Sequence, residues 1–173
     1  DTATTEIYTS SLFFSVRFFY ETASYTEEMM EAGELAEANP AQYDAQYGRR
    51  RMRVDGYGGD PITSGDSTLT LVIADFDQSE DMTTLTATRL EQLFRHLSWF
   101  AEKSLDRVFR ESMEETSAAF GLADTIATRW DIVAKIRLFV LSNRVLSSRV
   151  MDRTDGSEIE GKSASHSVWD LTR

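Results

Sequence analysis

RRRMRVDGYGGDPITSGDSTLTLVIADFDQ, residues 49–78, decides how the chain is read: two strand patterns joined by turn chemistry, with three aspartates near their ends. From Arg49 to Tyr57 alternate positions separate into Met52, Val54 and Gly56 on one side and Arg49, Arg51, Arg53, Asp55 and Tyr57 on the other, the period of a strand. Asp55 is therefore expected on the polar face. Gly58, Gly59, Asp60 and Pro61, then Ser64, Gly65 and Asp66, mark a long hairpin loop, since glycine supplies positive φ and proline removes a ladder donor. Leu69 to Asp77, LTLVIADFD, is apolar on both faces for most of its length and acidic only at its end, the pattern of a central strand covered on both sides. Asp75 and Asp77 are two residues apart, so on a strand they share the face of Leu69, Leu71 and Ile73.

A hairpin folded about Ser64 puts Asp55 roughly opposite Asp75, and cross-strand neighbours on one face stand about 5 Å apart at Cβ. Carboxylates gathered in this way suit a shared divalent cation such as Mg2+, held by one or two carboxylates together with substrate phosphate oxygens. The same residues also fit the common use of aspartate as a turn former and strand cap. The residues alone leave both readings open.

The pattern DGY, a loop, then a hydrophobic strand ending in an acid-x-polar triplet resembles the core of the PD-(D/E)xK nuclease superfamily. More closely, RMRVDGYGGD, LTLVIADFD, LTATRLEQLFRHLSWFAEKSL, EETSAAFGLAD and IRLFVLSNRVLSSRV resemble the N-terminal nuclease-like domain of the bacterial abortive-infection phage-resistance (AIPR) proteins, from about Met52 to Asp170. The resemblance implies an α/β fold with a three-layer restriction-endonuclease-like core, a mixed central sheet flanked by helices. It implies Asp55 as the motif aspartate and Asp75 as the second acid, both ligands of Mg2+, with Asp77 where the superfamily has its lysine. Asp55, Asp75 and Asp77 thus form the expected catalytic set. The replaced lysine positions and polarises the attacking water, whereas an aspartate supplies neither positive charge nor donors at neutral pH. The implied function is a nuclease-like domain of a phage-defence protein, active with Mg2+ on phosphodiesters or degenerate. The alternative is a non-catalytic interaction or scaffolding domain of the same protein. Arg51 and Arg53, in the local basic run, are the expected contacts to a DNA or RNA substrate.

Composition sets outer bounds. A chain of 173 residues, 41% apolar and 27% charged, suits a single globular domain spanning 1–173. Cysteine is absent, which removes disulfides and thiolate metal sites and permits a reducing cytoplasm. No apolar run approaches the roughly 18–20 residues of a membrane helix, so the expected location is cytoplasmic, with no membrane partner. A net charge of −11 argues against a large non-specific phosphate-binding surface, which needs clustered Lys and Arg.

Along the chain, Leu12, Phe13, Val16, Phe19, Tyr20 and Ala23 have helical spacing, with Ser10 or Ser11 as cap and an acidic continuation ending at Asn39-Pro40. Glu27, Glu28, Glu31 and Glu34 either add a carboxylate to the site or form a solvated helix face. A second, longest helix is expected from Thr83 or Thr84 to about Met113, with His96 on or near its apolar stripe as a packing residue. A third starts after Ser117 and runs through Trp130. Lys135 to Asn143, KIRLFVLSN, reads as a buried parallel strand. The polar stretch from Arg144 to Ile159 is expected to turn at Asp155–Ser157, and His166 to Asp170 to form a last short strand. A strand so near the last residue, with Trp169 needing cover, suggests a domain excised from a longer protein. The expected partners are the C-terminal remainder of that protein, a DNA or RNA substrate and a second copy of the chain.

Overall fold

The computed structural model describes residues 20–63, 65–79, 81–150 and 156–170. The chain divides into two compact units, Asp1–Leu35 and Ala36–Arg173. In the first unit the described part is a helix, α1, over residues 20–31. Most of the apolar stripe that begins at Leu12, with its caps at Ser10 and Ser11, lies outside the described residues. The helix does not continue to Asn39-Pro40 as expected: it ends in a turn where Gly33 takes φ 75°, a left-handed conformation that stops a helix and suits glycine.

The second unit is built on a six-stranded mixed sheet in the order β1-β2-β3-β5-β8-β7. Its strands are β1 Asn39–Tyr47, β2 Arg50–Tyr57, β3 Thr68–Asp75, β5 Lys135–Ser142, β7 Ser157–Ile159 and β8 Lys162–Trp169. β2 runs antiparallel to both of its neighbours, β1 and β3; β3, β5 and β8 are parallel, and β7 returns antiparallel on β8. A separate parallel pair joins β4 (Thr84–Leu85) to β6 (Val145–Leu146). The helices are α2 (Ala87–Ser104), α3 (Arg107–Glu111) and α4 (Ala118–Arg129). The expected mixed sheet with flanking helices is thus present, and it is compatible with a three-layer α/β fold.

β3 is the central strand that its sequence requires, with all eight residues buried. Leu69, Leu71 and Ile73 join Met52 and Val54 of β2 and Leu138 and Val140 of β5 in one core with Leu93, Leu97 and Phe100 of α2. Val72 and Ala74, on the alternate positions, are buried as well. Fully burying a side chain such as Leu or Ile contributes about 1.5–3 kcal/mol, so the β3 and α2 apolar sets carry much of the stability. Ser117 caps α4 as read from the sequence, its hydroxyl accepting the Phe120 N–H at 3.1 Å.

Four expectations are corrected. Strand β1 was not expected: it lies at the sheet edge, and only Ala41 among its residues is buried, so its alternation is faint. The long helix is shorter and split. Thr84 and Leu85 form β4, Thr86 caps α2, and at the far end the Asp106 carboxylate accepts the Val108 N–H at 2.9 Å and starts α3 anew. The polar stretch after β5 contains β6 and β7: of the turn expected at Asp155–Ser157, Asp155 lies outside the described residues and Ser157 is already in a strand, while a turn falls at Glu160–Gly161, with φ 44° and 81°. The final strand begins at Lys162, earlier than His166.

Candidate functional site

β2 and β3 pair at Gly56 with Val72 and at Tyr57 with Leu71. Beyond that point side chains of β2 take over the ladder. The Asp55 carboxylate Oδ2 accepts the N–H of Ala74 at 2.8 Å, and Arg53 donates to the Ala74 carbonyl at 2.6 Å and to Asp55 Oδ2 at 3.0 Å. Asp55 is therefore not on a solvent face as alternation suggested. It is 7% exposed, because its carboxylate occupies the gap where the strands part. Burial pushes the Asp55 carboxyl above its ordinary value, against the opposing pull of Arg53 and the Ala74 N–H.

Asp75 ends β3 and is 6% exposed. Its Oδ1 accepts two bonds from Arg89 of α2, from the terminal nitrogen at 2.8 Å and from Nε at 3.3 Å. Its Oδ2 is buried with no hydrogen-bond partner, with Arg144 Nε 3.6 Å away. Arg144 is the second residue past β5, and the register sets Ser142 beside Asp75, with the Ser142 hydroxyl donating to the Asp75 carbonyl at 2.9 Å.

Asp77 lies past the strand end, outside the ladder that holds Asp75, and Arg144 stands near both carboxylates, 3.6 Å from Asp75 Oδ2 and 3.7 Å from Asp77 Oδ2. The segment is fixed instead by Asn143, which accepts the Asp77 N–H and donates to the Asp77 carbonyl, both at 2.7 Å. One carboxylate oxygen of Asp77 accepts the Thr83 hydroxyl at 2.7 Å and the other the Ser79 N–H at 3.1 Å. These bonds, that from Thr83 first, hold the Asp77 carboxyl below its ordinary value, with Arg144, 3.7 Å away, adding to the effect.

Of the two expected nucleic-acid contacts, Arg53 is committed to Asp55 and Ala74. Arg51 makes two 2.9 Å bonds to Asp44 on the neighbouring strand and remains largely exposed. His96 is buried on the apolar stripe of α2, and burial together with Arg51, Arg89 and Arg53 keeps its imidazole neutral to lower pH than usual. Among the described residues no group of three or more His, Asp or Glu side chains is arranged to hold a metal ion. Each of the three aspartates faces a guanidinium. As they stand, these carboxylates do not fit an Mg2+ centre, which needs several free oxygens in near-octahedral array at about 2.0–2.1 Å.

Arg89 and Arg144 are the site residues that the sequence reading missed. Their signal was positional: Arg144 is the second residue past β5, and a parallel neighbour of β3 must end where β3 ends.

No curated protein and no solved structure is significantly similar to the chain. A family model described as the abortive infection phage resistance protein N-terminal domain matches residues 22–173. The chain therefore belongs to that family, as an N-terminal domain of an abortive-infection phage-resistance protein.

Proposed function

We propose that this domain serves its phage-defence protein as a non-catalytic interaction module built on a degenerate nuclease-like core. The observation that carries the reading is the arginine set against each of the three aspartates: Arg53 on Asp55, Arg89 and Arg144 on Asp75, and Arg144 again near Asp77. Such pairs neutralise the charge a cation would need, and Asp77 brings no donor to the position of the superfamily's lysine. The net charge of −11 further disfavours a polyanionic substrate. The partners we infer are the remainder of the parent protein and a second copy of the chain. Calorimetric titration with Mg2+ or Mn2+ tests the reading: no saturable binding is expected, and saturable binding lost in Asp75→Ala would overturn it.

A second reading, metal-dependent phosphodiester cleavage, is favoured by the buried Asp75 Oδ2 that no hydrogen bond satisfies. On that reading Asp55 and Asp75 are the metal ligands and the substrate is DNA or RNA. Asp77→Lys is the informative change, because gain of Mg2+-dependent cleavage would reveal a dormant site.

A further inference from the structure

A groove of about 700 Å³ runs between α2 and the β7–β8 hairpin. This lies within the range of about 300–1,000 Å³ that ligand sites occupy, enough for several side chains of a bound segment. Its apolar lining comes from Leu90 and Phe94 of α2, Val150, and Ile159 of β7. The His166 imidazole stacks on the Phe94 ring with centroids 4.2 Å apart and planes 13° apart, and His166 Nε2 lies 3.0 Å from the Ser157 hydroxyl. That stack fixes the hairpin against the helix and leaves the groove preformed.

The charges along the groove have one predominant sign. Four glutamates line it, Glu91, Glu102, Glu158 and Glu160, and of the described basic residues Arg95 lines it and Arg50 stands beside it. Glu102 is already met by Arg50 at 2.9 Å. Glu158 and Glu160 are exposed on either side of the buried Ile159. Trp99, also in the lining, attracts guanidinium groups: Arg50 and Arg95 stand 5.2 and 5.8 Å from its ring centre. Those arginines occupy the Trp99 end of the groove, whereas at the β7 end a cationic ligand meets the exposed carboxylates of Glu158 and Glu160 and an anionic one meets repulsion.

We propose that this groove docks a basic peptide segment of a partner protein, placing an apolar side chain on Leu90, Phe94 and Ile159 and Lys or Arg side chains against Glu158 and Glu160. The proposal gives the interaction reading a partner chemistry. It stands if the aspartates prove to bind metal, because none of Asp55, Asp75 and Asp77 lines the groove.

The test is fluorescence anisotropy of a labelled short peptide of alternating arginine and leucine, titrated with the 173-residue chain at low salt. Saturable binding is expected, weakened about tenfold or more by Glu158→Lys with Glu160→Lys and weakened again when serine replaces the peptide's leucines. Glu115→Lys with Asp124→Lys makes the same change in net charge away from the groove and is expected to leave affinity nearly unchanged. Both pairs are exposed, and thermal unfolding checks that each variant is folded. Absence of saturable binding, or equal weakening by the two pairs, would overturn the proposal. The metal titration reports separately on the aspartates, so failure of one reading is distinguishable from failure of the other.

Discussion

Arg53 and Ala74 are joined across two strands by a side chain and not by the ladder: the guanidinium donates to the Ala74 carbonyl at 2.6 Å while Asp55, two residues on, takes the Ala74 N–H at 2.8 Å. One residue's backbone is thus satisfied twice by one ion pair. Arg53 is 17% exposed at its side chain and Asp55 7%, so truncating either leaves a buried charge and an unpaired peptide group. Arg53→Met is expected to lower unfolding free energy by about 3–5 kcal/mol. Urea denaturation measures it, and a loss below about 1 kcal/mol would show that the pair is not structural.

Acid and neutral stability should respond to different aspartates. The folded-state value of Asp55 is raised above the ordinary 3.8 by burial, so its contribution is full below the unfolded value and is lost as pH rises through the folded one. Asp77 is the reverse case: its value is lowered, chiefly by the Thr83 hydrogen bond, so its contribution is present above 3.8 and lost as pH falls through the lowered value. Urea midpoints against pH for wild type, Asp55→Asn and Asp77→Asn check this. The advantage of wild type over Asp55→Asn should shrink as pH rises above 3.8. Its advantage over Asp77→Asn should shrink as pH falls below that point.

If guanidinium groups are what closes the acidic cluster to cations, their removal should open it. Arg89→Gln with Arg144→Gln leaves Asp75 facing neutral amides in place of two cations. Calorimetry with Mn2+ is expected to detect saturable binding that wild type lacks, and Asp75→Asn on the same background should abolish it. Continued absence of binding would mean that these acids are too far apart to cooperate.

Phe109 of α3 is fully buried and meets Tyr43, Tyr47 and Phe100 edge-on, with centroids 5.7, 5.1 and 6.2 Å away. This aromatic set attaches the edge strand β1 to the helices. Phe109→Ala should cost about 3–5 kcal/mol. It should also speed amide exchange in β1 more than in β8, which hydrogen-exchange mass spectrometry would resolve.

The parts of this fold that the sequence disclosed are those where one physical demand dominated. β3 and β5 are buried on both sides and so read as continuous apolar runs. Ser117 had a cap to provide and an apolar period after it. Where demands were divided, the reading failed. β1 exposes most of its residues and packs through two tyrosines, so alternation hardly marks it. The break before α3 depends on Asp106 competing for a backbone donor within an unbroken apolar stripe. At the site, strand alternation could assign Asp55 a side but not reveal that β2 leaves the ladder there. The arginines that pair with Asp75 come from residues 89 and 144, and only the parallel pairing of β3 with β5 brings the second one to it.

That same parallel pairing sets the order in which the sheet can be completed during synthesis. β1, β2 and β3 are consecutive and antiparallel, so they can associate as soon as Asp75 has left the ribosome. β3 then has one strand neighbour and a free edge of unpaired backbone groups on a mostly apolar strand until β5 emerges, with three helices made in between, and β5 in turn waits for β8. The nascent chain therefore carries Thr68–Asp75 as an uncovered template for pairing with other chains throughout that interval. Slowed translation within residues 76–134 should raise misassembly of this domain more than the same delay placed after β8.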